Sequence, residues 1–141
     1  RQRFSFAPGD IPELDEAARY WIYDWFGKSA RTIEKDGRFE GTMDAQGFAW
    51  YVVLPEKESL SCLGLADKFV GFTAVESVSE APGSTTLVLR AAGTISWLSR
   101  RACRRAELNG ADMTAQVVRD GSLYTLPLEE RSEKAVLCVR W

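Results

Sequence analysis

The segment that decides the predicted fold is IPELDEAARYWIYDWF, residues 11–26. At about 100° per residue, its apolar side chains share one half of a helical wheel, while most of its charged residues and tyrosines occupy the other half. Asp10 is a favoured N-cap, Pro12 is tolerated in a first helical turn, and Glu13 can complete a capping box. Gly27 ends the pattern with a residue that readily turns left-handed. The sequence therefore predicts an amphipathic helix that a sheet must cover.

Most of the remaining chain shows strand patterns separated by turn residues. Asp-Gly at 36–37, Ala-Pro-Gly at 81–83 and Asp-Gly at 120–121 each predict a hairpin turn. The apolar run 48–54 predicts a central strand. A second helix is predicted over residues 94–108, because an apolar stripe at helical spacing ends there at an Asn-Gly pair.

These elements predict an α+β fold, in which a curved antiparallel sheet of about eight strands packs on the N-terminal helix and the second helix lies near residues 94–108. A length of 141 residues suits one compact domain spanning residues 1–141. Because the sequence opens on Arg1, we expect this domain to be a module of a larger protein.

Composition excludes several classes of chemistry. The chain has no histidine, which removes Ser-His-Asp and Cys-His catalysis and His-ligated metal within it. A net charge of −2 gives no overall attraction to nucleic acid, and no apolar run is long enough to span a membrane. Three unpatterned cysteines favour a reducing, cytoplasmic setting. The sequence argues against an enzyme without excluding one, and it predicts no cofactor and no metal.

The predicted second helix carries the most distinctive candidate surface. Opposite its apolar stripe, four arginines and one indole share an arc of the wheel: Trp97, Arg100, Arg101, Arg104 and Arg105. Arginine forks bind phosphates and carboxylates, and an exposed indole stacks on bases, so this arc suits an acidic protein partner or a polyphosphate chain. The competing interpretation is an ordinary solvated helix face.

A second candidate is a small-ligand pocket between the first helix and the sheet. Its predicted lining is aromatic: Tyr20, Tyr23, Trp21, Trp25 and Trp50. Aromatic residues at helical spacing are more often plain core, because the same wheel already assigns Trp21 and Trp25 to the buried side.

The function that this sequence favours is a non-catalytic interaction domain that recognises a macromolecular, protein partner. One alternative is nucleic-acid or polyphosphate binding through the arginine and tryptophan face. A second alternative is a ligand or enzyme cavity between the first helix and the sheet. The sequence does not determine the oligomeric state.

Overall fold

A computed structural model describes residues 1–68, 70–129 and 134–141. Strands make up 53% of the residues in these ranges, helical segments make up 7%, and no helix there reaches seven residues. The predicted α+β class, with its N-terminal amphipathic helix, is therefore wrong, and the protein is mostly β. The chain forms two compact units, Arg1–Glu56 and Lys57–Trp141. The expectation of a single domain stays a prediction.

The first unit contains two small antiparallel sheets. Their strands are β1 (Gln2–Phe6), β2 (Arg19–Asp24), β3 (Ser29–Glu34), β4 (Phe39–Met43) and β5 (Tyr51–Pro55). A three-stranded sheet has the order β3-β2-β5, and a two-stranded sheet pairs β1 with β4. Four rings on β1, β4 and β5 lie 4.8 to 6.4 Å apart between neighbouring centroids and form a small aromatic cluster: Phe4, Phe6, Phe39 and Tyr51.

The segment predicted as the first helix divides into a turn, an irregular stretch and strand β2. Pro8–Asp10 is a short 3₁₀ turn, in which the Asp10 carboxylate accepts a hydrogen bond from the Ala7 N–H at 2.9 Å. Glu13 then has a φ of +58°, which interrupts any helix. The capping residues thus stabilise a turn, and the aromatic residues that follow adopt their strand preference.

The helical wheel gave a wrong prediction for strand β2 because this strand is the central one of its sheet. Four consecutive side chains, Tyr20, Trp21, Ile22 and Tyr23, are buried, so both faces of the strand are covered. A continuous apolar run of this kind fits a helical stripe as well as a buried strand.

The second unit is built from two larger antiparallel sheets. Their strands are β6 (Ser61–Leu65), β7 (Val75–Ala81), β8 (Ser84–Leu89), β9 (Gly93–Leu98), β10 (Arg105–Leu108), β11 (Ala111–Asp112), β12 (Val118–Asp120), β13 (Leu123–Leu128) and β14 (Ala135–Arg140). One sheet has the order β11-β10-β14-β8-β7 and the other has the order β12-β13-β9-β6. Two 3₁₀ turns, Gly71–Ala74 and Thr114–Gln116, lie between strands.

A single hydrophobic cluster draws side chains from both of these sheets, as in a β-sandwich. Leu87 and Leu137 on the five-stranded sheet and Ile95 and Leu126 on the four-stranded sheet are completely buried. Each such side chain contributes roughly 1.5–3 kcal/mol relative to exposure. This buried core stabilises the second unit.

The predicted second helix is also wrong. Residues 94–108 contain β9, a connecting loop and β10, and the Asn-Gly pair that follows makes the β10–β11 hairpin turn. Asn109 and Gly110 have φ values of +50° and +83°, as a type I′ turn requires. β9 lies between β6 and β13 and is buried on both faces. Its consecutive apolar residues therefore fit the apolar stripe of a helix, as those of β2 do.

Turn signals had mixed outcomes. The hairpins at 81–83 and 120–121 are confirmed, since β7 pairs with β8 and β12 pairs with β13. The hairpin at 36–37 is wrong, because β3 pairs with β2 while β4 pairs with β1. The central strand predicted over 48–54 is also corrected: β5 begins at Tyr51 and lies at the edge of its sheet.

Candidate functional site

The indole of the predicted arginine face is not on the surface. Trp97 is 1% exposed and stacks in parallel on Tyr124, with 5.6 Å between ring centroids. Because residues 94–108 are not helical, the wheel that placed Trp97 beside the arginines does not apply. The ring is part of the core of the second unit and is not accessible to a base.

The arginines mostly lie on an ordered loop, residues 99–104, that we call the arginine loop. Arg100, Arg101 and Arg104 are exposed there. Two hydrogen bonds hold the loop to neighbouring segments. The Ser99 hydroxyl donates to the Ser59 carbonyl at 2.8 Å, and Tyr124 Oη donates to the Arg101 carbonyl at 3.1 Å. The structure thus brings three of the predicted residues together, and their role in binding stays a prediction.

Arg105 differs from its neighbours because it belongs to strand β10. Its guanidinium lies 2.8 Å from a carboxylate oxygen of Glu107 and 3.9 Å from one of Asp112. The Asp112 side chain accepts hydrogen bonds from the Thr114 hydroxyl and backbone N–H, and these bonds lower the pKa of that carboxyl. Arg105 is therefore engaged in a local ion-pair network.

The predicted aromatic pocket is divided by the structure. Tyr20, Trp21 and Tyr23 are buried on β2, and the Tyr20 hydroxyl donates to the Asp15 carbonyl at 3.0 Å and accepts from the Ala17 N–H at 2.9 Å. Burial is the main cause that raises the pKa of the Tyr23 phenol, and the nearby negative charge of Asp24 raises it further. The helix that was to form one wall does not exist, so the cavity predicted between helix and sheet is absent.

Trp25 and Trp50, by contrast, come together at the end of the first unit's three-stranded sheet. The Trp25 N–H donates to the Trp50 carbonyl at 3.0 Å, just beyond the pairing of β2 with β5. Phe26 and Phe48, whose sequence patterns predict burial, lie beside them and are exposed. We call these four residues the aromatic patch: Trp25, Phe26, Phe48 and Trp50.

Three residues of the aromatic patch are exposed, and Trp25 is half-buried. Phe48 is 72% exposed, Phe26 is 48% exposed and Trp50 is 38% exposed. Phe26 packs edge-to-face on Phe48 at 5.3 Å and against Trp25 at 5.7 Å. The ammonium of Lys28 lies 3.3 Å from the centre of the Trp25 ring. Several adjoining large rings at one place on a surface are typical of an interaction site, whereas a single exposed ring is not.

A cleft of about 370 Å³ opens beside the patch. Its lining combines the aromatic residues Phe26, Phe48 and Tyr51 with three charged residues, Asp24, Asp44 and Arg1. Partial burial and, to a smaller extent, the negative charge of Asp24 raise the pKa of the Tyr51 phenol. The cleft therefore offers apolar surface and negative charge side by side.

Sequence reasoning missed the patch because it assigned Phe26 to the buried side of a helix and Phe48 to a central strand. The available signal was the position of these rings beside turns. Phe26 precedes Gly27, and Phe48 follows Gly47, which closes a turn by donating its N–H to the Asp44 carbonyl at 2.9 Å. Large rings next to surface turns are less able to reach a core than rings inside a strand.

No protein-family model matches this chain, and a search of curated proteins found no similar sequence. Within the described ranges, the longest apolar helix falls short of the length required to cross a membrane.

Proposed function

We propose that this chain is a non-catalytic interaction module that recognises a protein partner through the aromatic patch. The observation that carries the proposal is the contact of Phe26 with Phe48 while both rings remain largely exposed. Aromatic residues are enriched at protein interfaces, where they bury a large area at low cost in side-chain entropy. The three free cysteines, Cys62, Cys103 and Cys138, support a reducing, cytoplasmic setting for this activity.

The patch favours a protein over a nucleic acid. The first unit holds seven lysines and arginines against ten aspartates and glutamates, and two of those carboxylates line the cleft beside the rings. Negative charge at a stacking surface repels phosphate. The arginine loop has the opposite charge, but its predicted stacking ring, Trp97, is buried.

A photocrosslinking experiment tests the proposal. Ala49 lines the cleft and is exposed, so it is replaced by a photoreactive phenylalanine analogue in the full chain. After irradiation in an extract of the cells that make the protein, we expect one dominant protein adduct. The same analogue at Val118, an exposed apolar position in the second unit, is the matched control.

The adduct must also depend on the rings. In Phe26→Ser/Phe48→Ser carrying the analogue at position 49, we expect at least about a tenfold loss of adduct, as for removal of interface anchors. An adduct equal to that at Val118, or unchanged in the double variant, contradicts the proposal. An adduct that nuclease digestion removes assigns the patch to nucleic acid and contradicts it as well.

A further inference from the structure

The Asp24 carboxylate at the cleft is held in a fixed orientation. Its Oδ1 accepts hydrogen bonds from the Phe26 N–H at 3.0 Å and the Gly27 N–H at 2.9 Å. An ionised carboxylate has about four acceptor positions, so these two bonds leave capacity for a further donor. A charged donor that enters the cleft can therefore bind the Asp24 carboxylate without the entropic cost of ordering that side chain.

Asp44 shows that a guanidinium can reach this cleft. Arg1 Nε lies 3.7 Å from Asp44 Oδ1, and both residues line the cleft. The two side chains are 80% and 85% exposed, so solvent screens this pair and it holds Arg1 only weakly. A second guanidinium can take the place of Arg1 at little cost.

The ring faces add a second attraction for cations. Lys28 already lies over the Trp25 ring, and Phe26 and Phe48 present further aromatic surface at the cleft. Aromatic faces carry partial negative charge and attract guanidinium and ammonium groups. Planar guanidinium uses both a ring face and a carboxylate fork, whereas a compact ammonium uses chiefly the charge.

We propose that the cleft binds an arginine side chain of the protein partner, flanked by apolar residues that cover the aromatic patch. This inference rests on the proposed function, because it names the group recognised by the same surface. Charge complementarity selects this occupant, since two carboxylates against the single guanidinium of Arg1, together with two exposed rings, meet at one cleft of about 370 Å³.

The test uses two peptides that differ in one atom type and one charge. The first is Ac-Gly-Leu-Arg-Leu-Gly-NH₂, and in the second the arginine is replaced by citrulline, its neutral isostere. Binding to the full chain is followed by the backbone amide NMR signals of Phe26, Gly27 and Phe48. We expect the arginine peptide to bind about three- to tenfold more tightly, as one exposed charge pair and one cation–π contact provide.

Matched variants separate charge from shape. Asp24→Asn/Asp44→Asn keeps an acceptor for the Phe26 and Gly27 N–H groups, and we expect it to bind both peptides with the affinity of the citrulline peptide. Asp36→Asn, an exposed carboxylate outside the cleft lining, is expected to retain the full preference for arginine. A double-mutant cycle then assigns the preference to the cleft.

The outcomes distinguish this inference from the function on which it rests. Equal affinity for the two peptides overturns the arginine assignment, and so does the absence of shifts at the cleft. If the Ala49 adduct still depends on Phe26 and Phe48 in either case, the proposed function stands alone. Shifts that depend on protein concentration without peptide assign the cleft to a second copy of the chain and overturn the inference.

Discussion

Two aromatic clusters, one in each unit, place their rings in opposite surroundings. In the second unit, Trp97 and Tyr124 stack in parallel on neighbouring strands and are almost completely buried. In the first unit, Phe26 and Phe48 meet edge-to-face beyond the ends of strands and remain exposed. The difference teaches that strand position, more than residue type, decides whether a ring stabilises this fold or is presented to a partner.

The Trp97–Tyr124 stack and the aromatic patch also have different charged groups around them. The Trp97–Tyr124 stack lies beneath the arginine loop, and the Tyr124 hydroxyl helps to hold that loop. The aromatic patch lies beside a cleft with two carboxylates. A buried stack thus supports a basic surface, while an exposed cluster adjoins an acidic one.

Removal of the buried indole should have the largest effect. We expect Trp97→Ala to lower the free energy of unfolding by about 3–5 kcal/mol, because it removes a large ring from a close-packed core and leaves a cavity. Chemical denaturation followed by circular dichroism measures this change. A loss below about 1 kcal/mol would mean that the stack is not part of the stabilising core.

Thiol reactivity provides a second measure of the contrast. Cys62 lies opposite Trp97 in the β6–β9 pairing, and burial raises the pKa of its thiol from 9.0 to about 11. At pH 8 its thiolate fraction is therefore about a hundredfold lower than that of an ordinary thiol, and alkylation is correspondingly slow. Mass spectrometry after timed exposure to iodoacetamide measures the rate at each cysteine.

The matched control for that rate is Phe48→Cys, which places a thiol on the aromatic patch. We expect this thiol to react at nearly the rate of a small peptide thiol, because position 48 is exposed. Comparable rates at positions 48 and 62 would contradict the contrast between the two regions.

Removal of the hydrogen bond between the buried stack and the arginine loop should have a smaller effect on stability. Tyr124→Phe keeps the ring and removes the hydrogen bond to the Arg101 carbonyl, so we expect a loss of about 1 kcal/mol in unfolding free energy. Amide hydrogen exchange in residues 99–104 should also accelerate. Unchanged exchange would show that the loop is held by its other backbone bonds.

Removal of an exposed ring should have the smallest effect on stability. We expect Phe48→Ser to change the unfolding free energy by no more than about 0.5 kcal/mol, since little surface is buried there. The same variant should lose partner binding, which thermal melts and crosslinking measure side by side. A large loss of stability would identify Phe48 as a structural residue and weaken the proposed interface.

Several features were accessible from sequence because they depend on neighbouring residues only. The turns at 81–83 and 120–121 are examples, as both join strands that pair with each other. Antiparallel pairing over most of the chain also follows from its many hairpin signals and lack of βαβ alternation. These signals come from φ preferences and strand propensities that act over a few residues.

The two predicted helices failed for one common physical reason. Residues 20–23 and 95–98 are central strands covered on both faces, so their apolar residues are consecutive and do not alternate. A run of this kind satisfies a helical stripe and a buried strand equally, and only the partners on either side decide between them. Those partners, β3 with β5 and β6 with β13, lie elsewhere in the chain.

The sequence by itself determined two of the three predicted hairpin turns, the absence of histidine chemistry and the antiparallel pairing of strands. Tertiary structure decided which rings are buried, because burial depends on the strands that lie alongside. It placed Trp97 in the core and Phe48 on the surface, although sequence patterning had suggested the reverse for each. Sequence periodicity is a property of one segment, whereas solvent exposure is a property of all the segments packed around it.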